Sequence, residues 1–348
     1  MNACLQAMTA PQWWLIPAVA VAAAIVSALV ILLIRPLLQK HALAKPNARS
    51  SHRTPTPQGA GIAVIAATLL IAGLAIAHLG EGLSNFPALL FGAALFVAAL
   101  GFADDIKPVP VLPRLLLQAI AVGAVVVAPS CDLRLAPFLP LEIERGLLVL
   151  AGLWFVNLVN FMDGLDWITA AEVVPITAAI ALLGVAGGLP LTVSLVAAAL
   201  CGAMLGFAPF NRPVATIFLG DVGSLPIGLL LGWCLLQTAG QHHFGAALLL
   251  PLYYLADATL TLVRRLIRRE PFWVAHRSHF YQRATDNGFT VMQVVSEVFT
   301  LNLVLAALAA FSIKAASPTA DVALFAVGAA AVASTLLRFS RQRNAKAV

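Results

Sequence analysis

Charge is what this sequence has least of. Asp, Glu, Lys and Arg make up 10% of its 348 residues, against about 25% in an ordinary soluble domain. So few polar side chains cannot coat a globule of this size. With 61% hydrophobic residues and a mean hydropathy of +0.94, the solvent is expected to be largely lipid. No polar segment is long enough to fold separately, so residues 1–348 read as one integral membrane domain. The four cysteines, Cys4, Cys131, Cys201 and Cys234, form no CxxC pair and share no zinc spacing with His, and read as packing residues. No Lys or Arg precedes Arg35, so the first apolar run lacks the basic start of a signal peptide and reads as an uncleaved span. There is neither an internal repeat nor a low-complexity tail.

What is present is a succession of apolar runs. A backbone in lipid must satisfy its own hydrogen bonds, so runs of about 17–25 apolar residues read as helices. Eleven are expected, near 12–34, 60–79, 86–102, 113–129, 144–161, 168–187, 190–207, 222–238, 244–263, 293–314 and 319–337. The fold class is all-α, a polytopic membrane bundle. Kinks are expected around Pro175, Pro226 and Pro251.

Net charge is +6, but the basic residues lie in loops between spans, so membrane topology explains them and no nucleic acid is expected. With the N-terminus outside, only Arg134, Arg145 and Lys314 of the 21 Lys and Arg face outward. The C-terminus is then cytoplasmic, and so are the longest polar stretches, near 35–59 and 264–292.

Carboxylates sit where they are costly. Asp104 and Asp105 end the third run, Asp163 and Asp166 end the fifth, and Asp221 starts the eighth. Acidic residues cost about 2.5–3.5 kcal/mol at the centre of a membrane helix; at helix ends the cost is lower, yet five on one face repel. A lone helix-end Asp is usually a cap or dipole partner, and for Asp221 capping alone is an even alternative. A hard divalent ion would relieve the repulsion, since Mg²⁺ takes one or two carboxylates plus substrate phosphates. Nearby basic residues suit phosphate oxygens. The combination describes phosphoryl transfer. Gly220, Gly223 and Ser224 allow close approach at a helix N-terminus, a natural phosphate site. Asn160 and Asn211 offer neutral hydrogen bonds or helix caps. Asp257 lies deeper and is either structural, beside Arg264 or Arg265, or functional; Glu172 has no assignment.

Five segments carry a resemblance: SSHRTPTPQGAG at 50–61, GFADD at 101–105, NLVNFMDGLD at 157–166, FNRPVATIFLGDVGS at 210–224 and HRSHFYQR at 276–283. In this order, over about 46–290, they resemble the polyprenyl-phosphate N-acetylhexosamine-1-phosphate transferases of glycosyltransferase family 4. The resemblance implies transfer of a sugar-1-phosphate from a UDP-amino sugar to polyprenyl phosphate, releasing UMP, in a bacterial inner membrane. It implies Mg²⁺, or Mn²⁺ in its place, held by Asp221. Asp104 and Asp105 look like the family's paired aspartates, one of which deprotonates or orients the lipid phosphate. Asn160, Asp163 and Asp166 look like the nucleotide-sugar and catalytic set. Asn211 resembles the Asn ten residues before the metal Asp, and His276 and His279 resemble the family's histidine motif. Lys107, Arg277, Arg283, His52 and Arg53 are the expected holders of phosphate or sugar. A homodimer is left open.

The chain departs from the pattern in three places. The histidine run is interrupted as HRSH, Trp167 stands where a small residue usually follows DGLD and would narrow the pocket, and Ser51 replaces a lysine of the peptidoglycan enzyme. These departures lean toward the O-antigen and capsule branch. A multi-pass transporter is the alternative; its polar residues should lie near mid-membrane on broken helices. An intramembrane aspartyl protease would need Gly where Phe218 stands and Tyr where Ala256 precedes Asp257.

Overall fold

The computed structural model describes residues 14–44, 55–79, 87–127, 133–186, 188–271 and 276–343. The described residues are helical apart from loops and one small ribbon. In chain order they form α1 (Leu15–His41), β1 (Leu43–Ala44), β2 (Thr56–Pro57), α2 (Gly61–His78), α3 (Ala88–Ile106), α4 (Val111–Val127) and α5 (Leu141–Phe161). There follow α6 (Ile168–Val185), α7 (Leu191–Phe207), α8 (Asp221–Gly240), α9 (Phe244–Leu249), α10 (Leu252–Ile267), α11 (Phe280–Asp286), α12 (Val291–Ala315) and α13 (Pro318–Phe339).

Every expected span falls on a helix, but eight rather than eleven are long and apolar enough to cross a membrane among the described residues: α1, α2, α3, α6, α7 with the 3-10 turn that continues it to Phe210, α8, α12 and α13. At 17 residues α4 is shorter, and α5 carries Glu142, Glu144 and Arg145 near its start. The ninth run is interrupted at Leu250 and Pro251, giving α9 and α10; proline has no N–H to continue the ladder. Pro175 and Pro226, by contrast, lie inside the continuous helices α6 and α8.

The exterior is apolar. Leu33 is 78% exposed and Ile267 77%, as in a protein whose surface meets lipid rather than water. The centre belongs to α7 and α8, buried on nearly all sides. Small residues let neighbours approach α8 closely. A Cβ on Gly61 of α2 would lie 2.2 Å from Gly223 Cα, and one on Gly101 of α3 would lie 2.2 Å from the Asp221 carbonyl oxygen. Glu172 of α6 is buried and accepts from Asn302 Nδ2 of α12 at 3.0 Å. It joins two helices well inside the bundle.

The ribbon is short but decides where the site forms. β1 and β2 pair antiparallel, Leu43 opposite Pro57. The chain then runs along the approach to α8: Pro57 O accepts from Phe218 N at 2.8 Å, and Gly61 N donates to Leu219 O at 2.9 Å. Gln58 is thereby fixed beside the start of α8.

Candidate active site

The start of α8 organises the site. Gly220 takes φ +79, a left-handed conformation that favours glycine. Its own side-chain-less position supplies no cap. The cap comes instead from another helix: Asp105, in the last turn of α3, accepts from the backbone N–H of Asp221 and of Val222, both at 3.0 Å. Gln58 donates its amide to the same carboxylate. Satisfying orphan N–H groups with a carboxylate also suits the positive end of the helix. Asp105 is therefore committed to the backbone of α8.

Asp221 itself points into the site. Its Oδ1 accepts from Asn160 Nδ2 at 2.8 Å, and the same amide reaches Ser224 Oγ at 2.8 Å. Arg114 of α4 donates to Asp104 Oδ2 at 2.7 Å and lies 3.8 Å from Asp221 Oδ2. Asp104 also accepts from Val109 N at 2.6 Å. Asp104, Arg114, Asp221 and Asn160 thus form one connected set from α3, α4, α5 and α8. Nothing in the sequence around Arg114 marks it as a partner of two aspartates.

Asp163 and Asp166 lie between α5 and α6 and face different ways. Asp163 accepts from the Thr169 hydroxyl. Burial pushes its carboxyl up to about 7; the Thr169 hydroxyl opposes the shift, while the like charges of Asp105 and Asp166 reinforce it. Asp166 Oδ2 accepts from Ala215 N at 3.0 Å and pins the loop before α8. Asn211 is buried with both ends of its amide used internally: Oδ1 accepts from Trp167 N at 2.8 Å and Nδ2 donates to Ile217 O at 3.0 Å. Trp167 takes φ +66 and donates its indole N–H to Ala208 O, away from the cavity that it was expected to narrow.

The histidine segment folds back over α10. His276 and His279 stack with centroids 5.0 Å apart. His276 Nδ1 pairs with Ser278 Oγ at 2.8 Å, and Arg265 holds that hydroxyl at 3.1 Å. His279 is buried beside Asp257. Arg277 turns to Asp286, 3.3 Å away, and to Thr285. Lys107 is exposed at the end of α3, and Arg283 is half-buried on α11. None of these three cations lines the cavity described next. His52 and Arg53 lie outside the described residues.

Between α4, α5 and α10 a cavity of about 930 Å³ opens. At one end it is lined by Asp104, Arg114, Asn160, Asp163, Asp221, His276, His279 and Gln282; its other walls are Val111, Leu115, Leu150, Leu153, Trp154 and Leu262. Gln282 was not anticipated, and its buried Oε1 has no protein partner. Asp105, Asp166 and Asn211 are absent from the lining. Among the described residues no three His, Cys, Asp or Glu side chains are arranged to enclose a metal ion by themselves. The carboxylates at the mouth are all hard oxygen donors, so the set fits an ion held by one or two of them and completed by substrate oxygens and water.

Fold and site together define a polytopic α-helical membrane protein with an acidic site at the mouth of an apolar groove. The sequence model of glycosyl transferase family 4 matches residues 87–239, and the resemblance read from the motifs holds. It is similar, at 27% identity over 315 residues, to the probable undecaprenyl-phosphate N-acetylglucosaminyl 1-phosphate transferase of Bacillus subtilis. That comparison covers 85% of this chain and 86% of the relative. The decaprenyl-phosphate N-acetylglucosaminephosphotransferase of Mycobacterium tuberculosis is 29% identical, over 85% of this chain and 82% of its own. The phospho-N-acetylmuramoyl-pentapeptide-transferase of Mycobacterium leprae is 32% identical over a shorter stretch, 50% of this chain and 61% of its own.

Proposed function

We propose that this protein transfers an N-acetylhexosamine-1-phosphate from a UDP-sugar to polyprenyl phosphate, at the cytoplasmic face of a bacterial inner membrane. The observation that carries this reading is the two-natured cavity. One end gathers carboxylates, an arginine and histidines, and the other walls are aliphatic and aromatic apart from Asn157. A lipid phosphate has the same division. The relatives' names support the acceptor and sugar class.

In this reading the polyprenyl chain lies along Leu115, Leu153 and Leu262 with its phosphate at the mouth. Arg114, already paired with Asp104, holds that phosphate beside the nucleotide-sugar. Asp104 rather than Asp105 orients it, because Asp105 is occupied by the start of α8. Asp163, with a carboxyl that titrates near neutrality, is placed to take the proton of a protonated lipid phosphate. A lipid phosphate oxygen then bonds to the sugar-bearing phosphorus, the bond from that phosphorus to the bridging oxygen breaks, and UMP leaves with the electron pair. Asp221, its shell completed by substrate oxygens and water, would hold Mg²⁺ or Mn²⁺; such an ion supplies positive charge to the diphosphate. Asn160 fixes the Asp221 carboxylate for that task. The expected setting is O-antigen or capsule synthesis.

The test is a membrane assay with undecaprenyl phosphate and a panel of UDP-N-acetyl sugars, following UMP release and labelled lipid. At least one sugar should give Mg²⁺-dependent product, and Asp221→Ala should abolish it. Near-normal turnover in that variant would remove the metal assignment. Sugar uptake by proteoliposomes without UMP release would favour a transporter.

A further inference from the structure

Asp257 lies on α10, is fully buried and lines no part of the cavity. Its carboxylate is nevertheless the most heavily bonded acceptor in the histidine region. Oδ1 accepts from Phe280 N at 3.0 Å and Oδ2 from Tyr281 N at 3.0 Å. Tyr253 donates its hydroxyl to Oδ2 at 3.1 Å, and Thr261 donates to Oδ1 at 3.4 Å. His279 Nδ1 lies 3.3 Å from Oδ1. Two of these contacts cap the start of α11, whose own N-cap residue, His279, makes no side-chain cap. The fifth concerns a ring that does line the cavity.

We propose that Asp257 is a positioning residue that acts through His279. A carboxylate facing Nδ1 requires the proton on that nitrogen, which fixes the tautomer and leaves Nε2 as the acceptor. The two backbone bonds hold the residue after His279 and the next one, so ring and main chain are fixed by one group. Nε2, on the far side of the ring from Asp257, is then presented to substrate at the cavity mouth. Phe161 and Tyr281 flank the ring, with centroids 6.3 Å and 5.8 Å from it, and His276 stacks on it. These rings confine His279 to its plane, and the contact of Nδ1 with Asp257 selects which edge of the ring faces the cavity. An unpartnered carboxylate at this depth would be costly; five donors are what make it tenable. The inference rests on the transferase reading for its readout.

The experiment is a double-mutant cycle on the full-length protein in detergent or membranes. Asp257→Asn and His279→Gln are each expected to lower kcat at least about tenfold. Combined, they should lose little more than His279→Gln alone, because a residue acting through another has nothing left to position. If Asp257→Asn lowers kcat by the same factor in both backgrounds, Asp257 is a structural anchor and the proposal fails. Should Asp257→Asn not fold, Tyr253→Phe serves instead. It removes one hydroxyl donor to Asp257 and leaves the histidine, and its loss of kcat should be present with His279 and absent in His279→Gln. An equal loss in both backgrounds overturns the proposal. A wild-type protein without UMP release would instead refute the transferase reading.

Discussion

Asp163 sits on the segment between two spans, beside the acidic mouth, with its carboxyl raised to about 7. The folded protein then holds this proton more tightly than the unfolded chain does. The stability contributed by this group is complete below about pH 4 and is lost as pH rises through about 7. In chelator, the thermal midpoint of the detergent-solubilised protein should fall between about pH 5 and about pH 8. Asp163→Asn should flatten that slope; an unchanged slope would assign it to other groups. The five aspartates were legible in sequence because charge beside apolar runs is conspicuous. Their division of labour was not. That Asp105 caps α8 while Asp104 faces the cavity depends on which way adjacent side chains leave the end of one helix. The role of Gln58 was hidden, since its amide donates to a carboxylate 47 positions away; Asp257 stood out as a charge deep in a span, but its bonds to backbone N–H groups 23 and 24 positions on did not.

At the level of elements, the site depends on how closely α3 meets α8. Gly101 has no Cβ, and one placed there would be 2.2 Å from the Asp221 carbonyl oxygen. Gly101→Ala must push the two helices apart just where Asp105 caps α8 and Asp104 and Asp221 share Arg114. Overpacking of this kind costs about 1–3 kcal/mol, and a displacement on the order of 1 Å at reacting groups can cost roughly 10²-fold in rate. The variant should therefore insert and remain folded but lose kcat out of proportion to its stability, as read by activity against thermal midpoint. Activity that falls only with the folded fraction would show that the approach matters for packing alone. The helices themselves were legible, because apolar length is a backbone constraint in lipid. The ribbon was not: β1 and β2 have two residues each, too few for any alternation to register. The break before Pro251 was foreseen as a kink and is a full interruption.

Across the whole molecule, the groove is built mainly by three helices that fall outside the long apolar spans. α4 is short, α5 is polar at its start, and α10 is separated from α9; none is among the eight long apolar spans, yet these three carry the cavity walls. Helices that face a substrate rather than bulk lipid can be shorter and more polar. Asn157, for example, lines the cavity and bonds Gln118 at 2.7 Å within otherwise apolar walls. If the groove receives the polyprenyl chain, a charge on its wall should affect one substrate only. Leu153→Glu is expected to raise KM for polyprenyl phosphate at least about tenfold, equivalent to about 1.4 kcal/mol. KM for the UDP-sugar should stay within about twofold, because the polar mouth is untouched. A short-chain acceptor that does not reach Leu153 should be spared the effect. A rise shared equally by both substrates would mean that the substitution deforms the mouth, and the apolar walls would then be packing rather than a lipid path.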